Sequence, residues 1–378
     1  MIIKLGEVAS FVNGYAFKPS DWSDNGMPII RIQDLTGNSY KMNRYNGDIE
    51  QKYKVQDGDV LISWSASLGV YVWHGENAVL NQHIFKVVFD KTDVSKDYFV
   101  YQIEYRLGNA ASEAHGATMK HLTKSVFNAL PFYLPKKEEQ EKIAKVLNKI
   151  TELTNKTRKQ AKLLDDIIKS RFIEMFGDPD VNNKGWNIYR MEQLCEVGSS
   201  KRIYQNEQSI RGIPFLRVSD LVNRIDTGSK ECDLYISRER FEKLKEQGLT
   251  PASGDILLTA RGTLGRCYII QDGDEFYFQD GMITWLSKFD TKITPLYITY
   301  LFEMSGFRKQ IVSLQSGSTV AYLSISMTKK LDVMVPPIEL QNQFADFVAQ
   351  TDKSKLAVQK SLDELETLKK SLMQEYFG

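Results

Sequence analysis

The sequence predicts an α+β protein built from two similar halves, each a mixed α/β globule followed by one long helix. The chain ends in "EYFG" and has almost the same four residues, "EMFG", at 174–177. A long stretch with helical periodicity precedes each of these endings and contains neither Pro nor Gly. The regions before those stretches contain short β-like runs separated by Gly, Asp and Asn turns.

The internal repeat extends well beyond four residues. Residues 116–177 align with residues 317–378 without a gap, and 16 of the 62 pairs are identical. Upstream, "PIIRIQDL" at 28–35 matches "PFLRVSDL" at 214–221, and "DGDVLIS" at 57–63 matches "SGDILLT" at 253–259. Because the matches occur in the same order, we interpret them as a tandem duplication.

The duplication predicts four segments along the chain. Each globule is long enough to form its own hydrophobic core. The predicted globules are residues 1–135 and 178–336, and the predicted helical segments are residues 136–177 and 337–378.

The two helical segments are predicted to pack against each other. Residues 137–176 and 338–377 can each form one helix of about 60 Å at 1.5 Å per residue. A helix with an apolar stripe of this length has to bury it, and the repeated copy is the obvious partner. Packing of each helix on its own globule is the alternative. The stripe residues are Ile143, Val146, Ile150, Leu164 and Ile167 in the first helix, and Phe344, Phe347, Val358, Leu365 and Leu368 in the second.

The composition argues against several classes of protein. A hydrophobic content of 42% and a charged content of 26% are typical of globular domains. No apolar run approaches 18 residues and the N-terminus does not resemble a signal peptide, so we expect a cytoplasmic protein without a membrane partner. The three cysteines are far apart in the sequence and form no CxxC pair, which argues against disulfides and zinc sites.

The sequence contains no motif that predicts catalysis. It lacks the phosphate-binding GxxxxGK[ST] pattern and the motifs expected of an S-adenosylmethionine-dependent amino-methyltransferase. Its four histidines do not have the spacing of metal ligands. We therefore expect a non-catalytic chain with no metal site and no cofactor of its own.

Candidate binding residues lie in the loops between the β-like runs. Asn and Gln can pair with adenine, and Arg or Lys with guanine, whereas hydroxyl and glycine N–H groups suit phosphate oxygens. Any one of these residues could equally belong to an ordinary polar loop. The candidates are Tyr15, Lys18, Arg31, Ser65, Asn81, Gln82, His115, Thr118, Lys120, Lys201, Arg202, Tyr204, Arg217, Arg261, Thr263, Gln279, Asp280, Ser318 and Thr319.

Two of these candidates have an explicit structural alternative. Arg31 and Arg217 occupy equivalent positions in the repeat, and each is followed three residues later by an aspartate, Asp34 or Asp220. The pattern fits a buried ion pair as well as it fits the root of a recognition loop.

A proline-led entry into each long helix, with Gln140 or Gln341, and several other segments recur in a characteristic order. These segments are "LPKKEEQEKIAKVLNKI" (134–150), "VPPIELQNQFADFV" (335–348), "MFGDPDVNNKGW" (175–186), "LGEVASFVNGYAFK" (5–18), "IIRIQDL" (29–35) and "DGDVLIS" (57–63). In these segments and their order, over essentially its whole length, the chain resembles the specificity subunit of type I DNA restriction–modification systems.

This resemblance implies that each globule is a target recognition domain, which reads one half of a bipartite, gapped sequence in double-stranded DNA. It also implies that the two helices form an antiparallel coiled-coil spacer with pseudo-twofold symmetry. Two methyltransferase subunits would dock on these helices, and restriction–translocase subunits would join the complex. S-adenosylmethionine, ATP and Mg²⁺ would then belong to those partner subunits.

Three alternatives remain open at the level of sequence. The nearest is a specificity subunit that serves a methyltransferase alone, or one whose enzymatic subunits are fused in a single partner. A scaffold with two peptide-binding globules is more distant, because the loops are rich in amides and Arg and poor in aliphatic residues. An enzyme of another class is disfavoured by the missing motifs.

Overall fold

The structure is a computed structural model that describes residues 1–39, 41–65, 67–113, 124–315 and 322–378. The chain divides into two units. The first unit contains Met1–Lys159 together with Gln359–Gly378, and the second contains Gln160–Val358. Each long helix therefore contributes one part to each unit.

The first unit combines short strands with helices. Its strands are β1 (Ile2–Lys4), β2 (Ser10–Asn13), β3 (Met27–Ile30), β4 (Arg44–Tyr45), β5 (Lys54–Val55), β6 (Val60–Ser63), β7 (Gly69–Val72), β8 (Ala78–Leu80), β9 (Ile84–Val88) and β10 (Pro131–Tyr133). Its helices are α1 (Leu5–Val8), α2 (Ile32–Leu35), α3 (Lys96–Glu113), α4 (Lys124–Ala129) and the first part of α5 (Lys137–Phe176).

The second unit has the corresponding elements. Its strands are β11 (Asn187–Arg190), β12 (Glu196–Gly198), β13 (Gln208–Ser209), β14 (Ile213–Leu216), β15 (Tyr235–Ile236), β16 (Ile256–Thr259), β17 (Cys267–Ile269), β18 (Tyr277–Phe278), β19 (Ile283–Ser287) and β20 (Asp332–Val335). Its helices are α6 (Val218–Thr227), α7 (Arg238–Glu246), α8 (Pro295–Glu303), α9 (Ser305–Ser313), α10 (Ile325–Lys329) and the first part of α11 (Ile338–Phe377).

The sheets repeat the duplication seen in the sequence. One sheet has the order β2-β9-β6-β7 in the first unit and β12-β19-β16-β17 in the second. A second four-stranded sheet contains a parallel pair in each unit, β3 with β8 and β14 with β18. A two-stranded sheet, β1 with β10 or β11 with β20, is the third sheet of each unit. The two segments that match in sequence as "PIIR" and "PFLR" contain β3 and β14, so the repeated sequence forms equivalent strands.

The central strands β6 and β16 are apolar on both faces because each lies between two cores. Val60 and Ile62 of β6 face the core that contains α3, whereas Leu61 faces the core of the second sheet. In β16, Ile256 faces one core in the same way and Leu257 faces the other. Alternate side chains point to opposite faces of a strand, which explains the continuous apolar runs "VLI" and "ILL".

The long helices α5 and α11 pack together and run antiparallel. In the first unit, Arg158 of α5 donates to Glu366 of α11 at 2.6 Å. In the second unit, Lys355 of α11 pairs with Asp165 of α5 at 2.5 Å. The later part of one helix thus meets the earlier part of the other, and the predicted fold class is confirmed.

The buried face of these helices differs in part from the predicted stripe. Ile143, Ile150 and Phe344 are buried, and Leu164, Phe347, Val358 and Leu365 are partly buried. Val146, Ile167 and Leu368 are 41%, 47% and 47% exposed. In α5 the buried face runs through Ile143, Leu147, Ile150 and Thr154, so Val146, three residues after Ile143, lies to one side of it.

The C-terminal end of each long helix completes a core. Phe377 of α11 is 1% exposed, and its ring meets that of Tyr98 in the first unit at 5.5 Å between centroids. Phe176 of α5 is fully buried in the second unit, where its ring meets those of Tyr297 and Phe344 at 4.9 and 5.4 Å. The repeated "MFG" and "YFG" endings are therefore the same core-closing element used twice.

A buried glutamine fixes the start of each long helix. Gln140 Nε2 donates to the carbonyl of Pro135 at 2.9 Å, and its Oε1 accepts from the N–H of Ser95 at 2.9 Å. Gln341 makes the same two contacts at the same distances, with Pro336 and with Thr294. A buried amide without hydrogen-bond partners is costly, so the helix start keeps the position in which both bonds form. The glutamine thereby fixes the first turn of each helix against Ser95 or Thr294.

We expect Phe377→Ala to lower the free energy of unfolding of the first unit by about 3–5 kcal/mol, because it removes a fully buried ring from the core. The matched substitution Phe176→Ala should destabilise the second unit by a similar amount. Hydrogen exchange resolved by peptide measures the two units separately. The control Leu368→Ala, at a side chain that is half exposed, should change stability by about 0.5 kcal/mol or less. Equal loss of protection in both units after Phe377→Ala would contradict this assignment.

Candidate nucleic-acid interface

In the second unit, three loops that carry predicted site residues come together. The N–H of Ala260 donates to the carbonyl of Met282 at 2.9 Å, and the N–H of Gly281 donates to Ser199 Oγ at 3.2 Å. These bonds join the loops 199–204, 260–266 and 279–282, which we call the second loop surface. Arg202, Arg261, Thr263, Gln279 and Asp280 lie on it, together with the exposed Lys201 and Tyr204.

A buried hydroxyl holds the loop 260–266 in place. The side chain of Thr259 is fully buried at the end of β16, and its Oγ1 donates to the carbonyl of Thr263 at 2.5 Å. The same oxygen accepts from the N–H of Arg266 at 3.0 Å. Gly262 and Gly265 have φ of 70° and 75°, a conformation that side chains rarely adopt, and they close the turn. The loop backbone is therefore defined by its own hydrogen bonds.

The remaining residues of the second loop surface differ in how they are held. Arg202 Nε donates to Asp280 Oδ2 at 2.8 Å, so two of the predicted residues pair with each other. The N–H of Gln279 donates to the carbonyl of Leu216 at 2.9 Å, which continues the pairing of β14 with β18. The N–H of Lys201 donates to Tyr277 Oη at 2.8 Å, and the side chain of Lys201 is exposed.

An equivalent surface exists in the first unit, and we call it the first loop surface. Tyr15 forms a parallel bridge with Asn81, and its carbonyl accepts from the N–H of Gln82 at 2.8 Å. The N–H of Asn81 donates to the carbonyl of Ile30 at 3.1 Å, directly before Arg31. Tyr15, Arg31, Asn81 and Gln82 are therefore brought together.

Two other predicted residues of the first unit have different environments. Ser65 is only 6% exposed and follows β6, whose terminal Ser63 is fully buried and donates to the carbonyl of Ser67. Ser63 thus corresponds to Thr259 of the second unit. Lys18 is exposed, and its backbone N–H donates to Asp21 Oδ2 at 2.7 Å. His115, Thr118, Lys120, Ser318 and Thr319 lie outside the described residues.

Arg31 and Arg217 form ion pairs at the starts of α2 and α6. Arg31 Nε donates to Asp34 Oδ2 at 3.0 Å, and the backbone N–H of Arg31 donates to the same oxygen at 2.9 Å. Arg217 makes the same two bonds to Asp220, at 2.9 and 2.8 Å. The Asp34 side chain is only 1% exposed. This geometry favours the structural alternative, in which each pair caps a helix.

A row of aromatic rings beside the first loop surface was missed in the sequence. Tyr53, Tyr15, Phe17 and Tyr45 follow one another edge to face, with centroids 5.5, 4.9 and 5.1 Å apart. The ammonium of Lys52 lies 4.8 Å from the ring of Tyr53. Tyr15 and Phe17 lie on one loop, whereas Tyr45 ends β4 and Tyr53 ends the short helical turn 51–53, so only the spacing "YAF" at 15–17 indicates the row in the sequence. Aromatic faces next to a lysine suit contacts with bases and phosphates.

Several arginines of the second loop surface and its surroundings are neutralised within the chain. Arg202 pairs with Asp280, Arg217 with Asp220 and Asp233, and Arg266 with Asp226. A ligand that bound these guanidinium groups would have to replace a carboxylate. The surface therefore attracts polyanions weakly by itself, in agreement with the net charge of +1.

The described part of the chain has neither a cluster of metal-ligating side chains nor a membrane-spanning helix. No group of three or more His, Cys, Asp or Glu residues is arranged to hold a metal ion there. No helix among those residues is long and apolar enough to cross a membrane. Burial raises the pKa of the Cys195 thiol to about 12, so this cysteine stays protonated at neutral pH.

Comparisons with known proteins point to one family. The model of the family described as "Type I restriction modification DNA specificity domain" matches residues 1–164 and 183–367. The EcoBI specificity subunit of Escherichia coli is 24% identical over 417 residues, which cover 99% of this chain and 85% of that protein. The MjaVIII specificity subunit of Methanocaldococcus jannaschii is 22% identical and covers 84% and 78% of the two chains. For S.HindORF215P of Haemophilus influenzae, which is 27% identical, the match covers 68% of this chain and 61% of that protein.

Solved structures share the fold. The S subunit of a type I restriction–modification system from M. genitalium has a TM-score of 0.54 at 14% identity, and the match covers 100% of this chain and 96% of that one. A chain from a structure that concerns complex assembly and conformational transition of the type I R-M system has a TM-score of 0.56 at 14% identity, with 100% and 97% covered. At this identity the likeness concerns the fold alone.

We expect Arg31→Met to lower the free energy of unfolding of the first unit by about 3 kcal/mol, because the buried carboxylate of Asp34 would lose its counter-ion. Denaturant unfolding combined with hydrogen exchange measures this loss. Arg217→Met is the matched control and should cost less, since its guanidinium is 38% exposed. If Arg31→Met left stability unchanged and altered nucleic-acid binding instead, the structural assignment would be wrong.

Proposed function

Because the chain belongs to the family of type I restriction–modification DNA specificity domains, we propose that it reads a bipartite, gapped sequence in double-stranded DNA, one half-site with each loop surface. It is a specificity subunit by family. The reading of DNA, the docking of partners and the residues that perform both are our proposals. We also propose the division into recognition domains 1–135 and 178–336 and spacer segments 136–177 and 337–378.

The observation that carries this proposal is one backbone frame that bears two different sets of loop residues. Asn81 and Gln279 both continue the parallel strand pair of their unit, yet they differ in length. Ser65 and Arg261 each lie two residues after a buried hydroxyl residue, Ser63 or Thr259. Ser65 is small and buried, whereas Arg261 is long and exposed. Equal frames with different side chains suit the reading of two different base sequences, because base edges are distinguished by donor and acceptor pattern.

We propose that α5 and α11 hold the recognition domains apart and dock two methyltransferase subunits, with restriction–translocase subunits joining the complex. Support comes from apolar side chains that the helix pair leaves exposed. Val146, Leu153 and Ile167 on α5 are 41%, 38% and 47% exposed, and Leu368 on α11 is 47% exposed. Apolar residues that recur along one helix and stay accessible suit a protein partner.

We further propose that the chain is non-catalytic and that S-adenosylmethionine, ATP and Mg²⁺ are used by the partner subunits. On this view, neighbouring subunits supply much of the attraction to phosphate, because the arginines of the second loop surface are largely paired within the chain. A subunit that serves a methyltransferase alone would have the same two loop surfaces and the same helices, and the composition of the isolated complex decides between the two.

We expect a genome-wide map of methylated adenines to contain one gapped, two-part motif that disappears when this gene is deleted. The reason is that a specificity subunit determines where its partner methyltransferase acts. A strain with the gene restored is the control and should regain the motif. An unchanged map, in a strain whose methyltransferase is expressed and co-purifies with this chain, would contradict the proposed function and favour the scaffold alternative.

We expect Val146→Asp to reduce the amount of methyltransferase subunit that co-purifies with the chain, because a carboxylate would be placed in an apolar contact. Asn155→Asp is the matched control, since it adds the same charge at an exposed position of the same helix, nine residues from Val146 and therefore on the opposite side of the helix axis. Both variants should unfold within about 0.5 kcal/mol of the natural chain, because both positions are accessible. Equal recovery of the methyltransferase with Val146→Asp and the control would contradict docking at this face.

A further inference from the structure

We propose that Arg261 and Tyr322 together read one guanine, with Arg261 contacting the base and Tyr322 holding Arg261 in position. This inference rests on the proposed function and goes beyond it, because it assigns a base to one half-site. Tyr322 was not among the residues predicted from the sequence.

The backbone on both sides of Arg261 is fixed. Ala260 donates its N–H to Met282 at 2.9 Å, and its carbonyl accepts from the N–H of Leu323 at 3.0 Å. Arg261 itself forms an antiparallel bridge with Tyr322. The Cα of Arg261 is therefore held by two neighbouring segments as well as by the turn that Thr259 closes.

The side chain of Arg261 is positioned by an aromatic ring. The guanidinium carbon lies 4.8 Å from the centroid of the Tyr322 ring. A ring holds a guanidinium by its face, and the N–H donors lie in the guanidinium plane, so they stay available for a ligand. Among the described residues, no ion pair or side-chain hydrogen bond is found for Arg261, whereas Arg202 and Arg266 each pair with a carboxylate.

A fixed, accessible guanidinium fits the major-groove edge of guanine. That edge offers two acceptors, N7 and O6, which match two N–H groups of one arginine. A phosphate also accepts two such bonds, but it is the same at every step of the DNA, so a phosphate contact gives no reason for the two units to differ at this position. Holding Arg261 beforehand reduces the rotamer entropy lost on binding, and it restricts the direction in which the donors point. We therefore favour the base over the phosphate.

The described part of the first unit has a serine at the position that corresponds to Arg261. Trp64 corresponds to Ala260, because its N–H donates to the carbonyl of His83 at 3.2 Å at the same point of the sheet. The next residue is Ser65, which is short and 6% exposed, where the second unit has Arg261. The guanine requirement should accordingly occur in only one half-site.

The test uses the full chain in its complex with the methyltransferase, expressed in place of the natural subunit. Methylated adenines are mapped for the natural chain and for Arg261→Ala, Arg261→Lys, Tyr322→Phe and Tyr322→Leu. Arg211→Ala is the control, because Arg211 is an exposed arginine of the same unit outside the second loop surface. The readout is the preference for each base pair of the motif.

We expect one G·C pair in one half-site to lose about ten-fold or more of its preference in Arg261→Ala. Arg261→Lys should lose it as well, because an ammonium group cannot present two fixed donors. Tyr322→Leu should weaken the same preference and no other, whereas Tyr322→Phe should keep it because the ring face remains. Arg211→Ala should leave the motif and its preferences unchanged.

Two results would overturn the inference. If Arg261→Ala lowered methylation uniformly at all sites and reduced the slope of binding against log salt by about one, Arg261 would be a phosphate contact. If a gapped motif appeared with the natural chain and stayed the same in Arg261→Ala, the guanine assignment would fail while the proposed function stood. A natural chain that directed no gapped motif would instead refute the proposed function itself.

Discussion

The structure depends on the burial of a phenylalanine at the C-terminal end of each long helix. Phe377 closes the core of the first unit and Phe176 closes the core of the second. Each ring packs against an equivalent tyrosine, Tyr98 or Tyr297, whose hydroxyl donates to a strand carbonyl at 2.8 or 2.9 Å. Since each unit needs the end of a helix that begins in the other, neither half of the repeat forms a complete core alone.

This constraint separates the parts of the chain that are free to vary from those that are not. The helix ends, the buried glutamines and the hydroxyls of Ser63 and Thr259 hold the same frame in both units. Lys201, Tyr204 and Arg261 on the loops above that frame are exposed, so these side chains can differ between the units without loss of the fold. Under the proposed function, recognition and stability would therefore belong to different residues, so that one frame presents two unlike surfaces.

The arginines on and around the second loop surface also divide into two groups, according to what holds their side chains. Arginines such as Arg202 and Arg266 are paired within the chain and define loop geometry as much as binding. Arg261 differs because an aromatic ring holds it, and a ring leaves the hydrogen-bond donors accessible. Under the proposed function, a subunit with this arrangement would gain specificity from a few well-placed groups, and the bulk attraction to DNA would come from other components of the complex.

The sequence by itself determined the duplication, the long helices, the α+β class and the family resemblance, because repeated segments and helical periodicity are properties of the order of residues. It also located the loops. Tertiary structure decided two features that the order of residues does not show. One is which helix face is buried, because Leu147 and Ile168 are buried where the sequence predicted Val146 and Ile167. The other is that Arg31 pairs with Asp34. The stacking of Arg261 on Tyr322, which lie about 60 positions apart, likewise arises only when the sheet brings two distant loops together.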